Sequence, residues 1–291
     1  MKEVIVQVIG GLGNQLFQYA AGRKLALDLN AQLRLDISGF TTYYDLHKYS
    51  MHHLNVVEDF IQLDELHERS KDILFIKEPS LAYCPNVFDD LKGFNSVYLE
   101  GYWGSEHYFE SIDHVIRGEF SVKTPPSQAN IEMGRAILAT EAVCLHIRRG
   151  DYVWHPMSQQ SHCLCSLDYY QESLGLLARV LSNPVVYVFS DDQEWASKNL
   201  NIPFEHVFVG INDASKNYED LRLMSLCKHF IIANSTFSWW GAWLSNSPNK
   251  IIFAPRQWLK DPNLSWFDPV PLKWRNSYKN YCRFLAGFPQ I

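Results

Sequence analysis

The chain has 291 residues, 47% of them hydrophobic and 20% charged, with a formal net charge of −6. This is the composition of a folded globular protein with enough chain for two modest α/β domains. The negative balance argues against nonspecific nucleic-acid binding, which needs a basic face. Six cysteines are scattered without a CxxC pair, and Cys163-Leu-Cys165 has no second pair to complete a zinc site. A reducing compartment is therefore the simplest.

The first residues enter a strand at once, with neither a signal-peptide core nor an apolar run long enough to span a membrane, so a cytoplasmic location is expected. The sequons at Asn234 and Asn263 then carry no meaning. A strand over 4–9 leads through Gly10-Gly11-Leu12-Gly13 into a helix whose apolar residues fall at 16, 17, 20, 21 and 25. A second strand over 31–37 completes a β-loop-α-β unit. A glycine-rich loop at a helix start offers backbone N–H groups to an anion. Asp36 stands where a ribose-binding acid would fall, but Leu16 replaces the third glycine of GxGxxG. A tight structural turn is the other reading.

Residues 38–95 are less regular, and His47, His52, His53 and His67 show no metal-ligand spacing. A strand over 96–101 and a helix over 106–117 follow. The Lys123-Thr-Pro-Pro-Ser-Gln128 linker sets a boundary between a domain over 1–125 and another over 126–291. Beyond it the pattern alternates. Strands are predicted over 142–147, 184–190, 204–209, 229–233 and 250–254, and helices over 167–181, 193–199, 217–227 and 237–246, a doubly wound α/β domain. Near the end, Arg275, Lys279 and Arg283 form a basic i, i+4 stripe. It suits either a last helix packed across the domain junction or contact with an anionic membrane.

Three strand ends of the second domain carry polar groups. The apolar run over 142–147 ends in Arg148 and Arg149, then Gly150 for a turn, then Asp151. In open α/β sheets ligands bind outside the carboxyl ends of the strands. Two adjacent guanidiniums there fit a diphosphate, each fork holding phosphate oxygens bidentately. The alternative is that each arginine pairs with a nearby carboxylate such as Asp151. The second strand end carries Asp191 and Asp192, which could accept from guanine or ribose, or cap the helix that follows. The third runs Asn234-Ser235-Thr236-Phe237-Ser238, a helix start whose hydroxyls and N–H groups could cradle a phosphate or simply cap.

GGLGNQLFQYA over 10–20, HIRRGDY over 146–152 and NSTFSWWGAWL over 234–244 together resemble the bacterial α-1,2-fucosyltransferases of glycosyltransferase family 11. The likeness spans the whole chain. It implies a GT-B-like α/β fold, two Rossmann-like α/β domains facing across a cleft, the C-terminal one holding GDP-fucose and the N-terminal one most of the acceptor. It further implies inversion at the anomeric carbon, no metal or other cofactor, and a Fucα1-2Gal product in surface-glycan synthesis.

Residue by residue, the resemblance makes Arg148 the main β-phosphate ligand, with Arg149 beside it and His146 and Asp191 or Asp192 near the guanosine. Asn234, Ser235, Thr236, Phe237 and Ser238 correspond to the phosphate-contacting loop. Gly11, Gly13 and Asn14 correspond to a loop of the first domain that closes over the diphosphate. Inverting transfer also needs a base for the galactose O2 proton, with Asp151 the first candidate and His146 the second. Asp151 could instead orient an arginine. The competing function is a non-catalytic, lectin-like sugar binder using the many aromatic residues, though a neutral glycan has no need of Arg148 and Arg149.

Overall fold

Buried apolar runs alternating with helices build two parallel sheets in this computed structural model, which describes residues 2–91, 93–261 and 269–274. The chain divides into two compact units, Met1–Pro125 and Pro126–Ile291. Each is an α/β unit, the architecture of the GT-B-like class.

The first unit contains β1 (Glu3–Gln7), α1 (Leu12–Leu29), β2 (Gln32–Asp36), the single turn α2 (Gly39–Thr42), α3 (Leu63–Glu68), β3 (Ile73–Lys77), β4 (Ser96–Glu100) and α4 (Asp113–Glu119). Its sheet runs β2-β1-β4-β3, every pair parallel. The chain leaves β1 towards one edge and returns on the other side, so the strand order reverses between β1 and β4. That is where a crevice opens beyond the carboxyl ends of such a sheet. Helix α1 is buried continuously over residues 15–22, two of them glutamines.

Two expectations change here. The irregular stretch 38–95 contains α3 and the edge strand β3. The helix predicted over 106–117 is instead two 3-10 turns, Glu106–Tyr108 and Glu110–Ile112, followed by α4. Tyr108 and Phe109 are both buried side by side, and adjacent side chains cannot share one stripe of an α-helix.

The second unit contains α5 (Gln128–Leu138), β5 (Glu141–Ile147), α6 (Gly150–Trp154), α7 (Pro156–Ser161), α8 (Leu167–Leu177), β6 (Pro184–Ser190) and α9 (Gln193–Asn199). β7 (Glu205–Phe208), α10 (Asn217–Ser225), β8 (His229–Ile231), α11 (Thr236–Leu244) and β9 (Ile252–Phe253) follow. The order β7-β6-β5-β8-β9 is parallel throughout and reverses between β5 and β8. Val143, Leu145 and Ile147 of β5 pack with Leu174 and Leu177 of α8 and with Val186 and Val188 of β6. Each such fully buried side chain contributes roughly 1.5–3 kcal/mol. Helices α5, α6 and α7 are additions to the predicted elements. Gly150 begins α6 rather than making a free turn. Arg275, Lys279 and Arg283 lie outside the described residues, as does Asn263.

Candidate active site

The reversal point of the second sheet sets the carboxyl end of β5 beside the loop from β8 into α11. Arg148 and Arg149 leave β5 there. Arg148 Nη2 lies 2.5 Å from Asp151 Oδ1 and Nη1 lies 2.8 Å from Asp191 Oδ2. Burial works against the charge on Arg148, but Asp191 and Asp151 outweigh it and raise its pKa. The Arg149 guanidinium stacks on Trp195, its centre 3.9 Å from the ring centroid, and its Nε donates to Asp192 Oδ2 at 3.1 Å. The Arg149 backbone N–H donates to Asp191 Oδ1 at 2.8 Å. Both guanidiniums are thus held in internal ion pairs, as the alternative reading of the sequence has it. Two guanidiniums against the carboxylates of Asp151, Asp191 and Asp192 leave this cluster with a formal charge of −1.

Asp151 is buried, and both its oxygens are engaged. Oδ1 faces Arg148, and Oδ2 accepts from the Ser158 hydroxyl at 2.8 Å. This geometry fits the orienting role, one of the two left open by sequence, and acceptance of a proton at Oδ2 would require Ser158 to move away. Ser158, on the short helix α7, was not legible in the sequence at all. Gly150 has a steric reason to be glycine, because a Cβ there would stand 2.6 Å from Asp191 Oδ2. The carboxylate can approach the turn only because no side chain occupies that place.

His146, on β5, is 5% exposed, and its Nδ1 has no hydrogen-bond partner. Burial, then the Arg148 charge, lowers its pKa to about 3. It is a neutral imidazole at physiological pH and a weak base. Its ring meets Phe237 of α11 at 5.9 Å between centroids, tying the end of β5 to the start of that helix. Tyr152 does the same: its ring lies 5.5 Å from the Arg148 guanidinium carbon, and its hydroxyl donates to the Asn234 carbonyl at 3.1 Å.

The residues of the third strand end divide into two groups. The Asn234 amide donates to the carbonyls of Cys163 and Trp258, and its Oδ1 accepts from Cys165. The Ser238 hydroxyl is 1% exposed and donates back to the Ser235 carbonyl. These two side chains are spent on the interior. Ser235 is the N-cap of α11 without a side-chain cap bond, and Thr236 and Phe237 stand partly open in the first turn. Asp192 caps α9 through the Trp195 N–H at 3.0 Å, the capping role read from the sequence, while also holding Arg149.

In the first unit, Gly10 adopts φ +87°, Gly11 is the N-cap of α1, and Gly13 and Asn14 lie inside its first turn rather than in a loop. Two fully buried glutamines of α1 lash the carboxyl edge of this sheet. Gln15 donates to the carbonyls of Gly10 and Lys48 and accepts from Ser50 N–H. Gln18 accepts from Ile9 N–H beyond β1 and donates to the Gly101 carbonyl beyond β4. Next to it the Glu78 carboxylate accepts from Tyr102 N–H at 2.7 Å, from Trp103 N–H at 3.0 Å and from Gly104 N–H. Burial outweighs those three bonds and raises the Glu78 pKa. None of Gln15, Gln18 or Glu78 was singled out by sequence, since their partners are distant backbone groups that no local pattern displays.

Among the described residues no cluster of three or more His, Cys, Asp or Glu has metal-site geometry, and no helix is long and apolar enough to cross a membrane.

Comparison with known proteins places these features. The model of glycosyl transferase family 11 matches residues 84–275. An α-1,2-colitosyltransferase of Escherichia coli is 36% identical, the match covering 94% of this chain and 98% of that protein. An O-antigen biosynthesis glycosyltransferase of Escherichia coli is 29% identical over 88% of this chain and 95% of its own length. Among solved structures, a mutant of Arabidopsis thaliana FUT1 in complex with GDP superposes with a TM-score of 0.53 over 87% of this chain and 70% of that one, at 14% identity. That likeness concerns the fold.

Proposed function

The chain belongs to glycosyltransferase family 11, and from that premise we propose that it transfers L-fucose from GDP-β-L-fucose to O2 of a terminal β-galactoside. The transfer inverts the anomeric carbon and builds an α-1,2 linkage in a bacterial surface glycan, in the cytoplasm. The second unit takes the donor and the first most of the acceptor. The observation that carries this reading is the position of Arg148: at the reversal point of the second sheet, beside the start of α11, fixed from two sides by Asp151 and Asp191.

Departure of GDP builds negative charge on the β-phosphate while fucose C1 turns positive. A preorganised guanidinium and helix-start N–H groups stabilise that leaving group with no rearrangement at the moment of bond breaking. Asp151 and Asp191 occupy two of the guanidinium's five N–H groups, leaving others for phosphate oxygens. The scheme needs no divalent cation. For the galactose O2 proton, Asp151 Oδ2 is the better acceptor once it leaves Ser158, since His146 binds a proton only near pH 3.

The identity to a colitosyltransferase favours one variant of this reading, in which the donor sugar lacks the 3-hydroxyl of fucose. Turnover of GDP-fucose and GDP-colitose side by side, over a small panel of β-galactosides with and without EDTA, decides between them. Loss of activity in EDTA with recovery in manganese would remove the metal-free scheme. A calorimetric titration with GDP separates a transferase from a lectin-like sugar binder, which would give no heat.

A further inference from the structure

The carboxyl edge of the first sheet carries, besides the Gly11, Gly13 and Asn14 segment expected to close over the diphosphate, a surface beyond β4. Beyond β4 the chain runs Gly101-Tyr102-Trp103-Gly104. Trp103 has φ +55°, a conformation uncommon for a non-glycine residue and strained for a bulky one. It is held there by the Glu78 carboxylate on its own N–H and on the N–H groups either side. The indole is fully buried against Phe88 and Tyr108, and its Nε1 has no hydrogen-bond partner. A Cβ on Gly101 would stand 2.4 Å from the Glu78 Cβ, so the turn closes this tightly only with glycine.

The consequence of the strained turn is the placement of its neighbour. Tyr102 remains 47% exposed while Trp103 beside it is sealed. Tyr43, 67% exposed, belongs to the same edge: its hydroxyl accepts from Gln7 at the end of β1, and Tyr102 is among the groups that raise its pKa, after burial, Asp36 and Glu100. Two open tyrosine rings thus flank the point where the strand order reverses between β1 and β4, the place where such sheets bind ligands. An aromatic face suits the C–H face of a neutral pyranose, and the phenol, with the Asp36 and Glu100 carboxylates near Tyr43, offers polar handles for its hydroxyls.

We propose that the crevice between the ends of β1 and β4 receives the acceptor's galactose ring, with Tyr102 as its stacking platform, Tyr43 as its second wall, and Glu78 as the residue that positions Tyr102. This rests on the galactoside-transfer reading above and names the acceptor subsite within it. Tyr102 touches substrate; Glu78 acts through the turn.

The test is saturation-transfer NMR of the whole chain with Galβ1-4Glc and Galβ1-3GlcNAc in the presence of GDP, alongside acceptor and donor kinetics. Tyr102→Ala should remove saturation of the galactose ring protons and raise the acceptor KM about tenfold, the scale of one lost aromatic stack, with GDP affinity unchanged. Tyr102→Phe should retain most of the ring contact. Glu78→Gln should raise acceptor KM in the same direction and leave GDP affinity alone. Trp154 of α6, 64% exposed, is the rival platform. Loss of galactoside binding in Trp154→Ala, with Tyr102→Ala still binding normally, overturns the proposal. So does an acceptor KM within twofold of wild type for a folded Tyr102→Ala that binds GDP, or absence of galactoside binding in the wild type. Galactoside binding through Tyr102 without transfer of any GDP-linked sugar would instead sink the transferase reading and keep the subsite.

Discussion

The Ser158 hydroxyl donates to Asp151 Oδ2 across 2.8 Å, and Asp151 in turn holds Arg148 through its other oxygen. A residue on a short helix outside every sequence motif therefore helps to fix the aim of the Arg148 guanidinium. Ser158→Ala should lower kcat by roughly threefold to tenfold, the effect of losing a hydrogen bond of about 1 kcal/mol, with donor KM little changed. An unaltered kcat would remove Ser158 from the relay.

Arg148→Ala removes the charge itself. Its kcat should fall by on the order of 10²–10³, the loss typical of one transition-state donor. Arg148→Lys should recover only part of this, because an ammonium cannot face Asp151, Asp191 and a phosphate with a planar fork. Near-normal turnover by a folded Arg148→Ala chain would take the leaving-group role away from this residue.

Gly150→Ala tests the approach of Asp191 to the turn. With the added Cβ 2.6 Å from Asp191 Oδ2, the carboxylate must retreat and release Nη1 of Arg148. Calorimetry should show weakened GDP binding in a chain whose melting temperature stays close to that of wild type. Undiminished GDP affinity would mean that the Asp191–Arg148 pair does not shape the site.

His146 ties acid stability to the same place. Its folded pKa, about 3, lies below the unfolded value near 6.5, so below pH 6.5 the unfolded chain takes up a proton that the folded chain refuses. The resulting stability is complete above pH 6.5 and is lost as pH falls towards 3, at about 1.4 kcal/mol per pH unit. Urea titrations of wild type and His146→Gln at pH 4, 5, 6 and 7 should show that slope reduced by about this amount in the variant. Parallel pH dependences would show that the imidazole does not resist protonation.

What the sequence discloses follows how local the cause is. β5 and β6 are legible because strands buried on both faces read as unbroken apolar runs, and Pro184–Ser190 falls where it is predicted. β3 is not, since an edge strand with Phe75 half-exposed carries a mixed pattern inside an irregular stretch. The charged cluster is legible in its members: Arg148, Arg149, Asp151, Asp191 and Asp192 come together as their strand ends suggest. Its wiring is not, because the pairs Arg148–Asp191 and Arg149–Asp192 span 43 positions each. The internal bonds of Asn234 and Ser238 are equally hidden from the sequence. Their residue types suit a ligand, yet the tertiary fold satisfies them internally.

The stacking of Arg149 on Trp195 gives the molecule an optical gauge of its own. A cation 3.9 Å from an indole centroid perturbs its excited state, so any ligand that draws the guanidinium off the ring changes the emission of that one tryptophan. Occupancy at this strand end can then be followed by intrinsic fluorescence in an unlabelled chain, with Trp195→Phe as the blank.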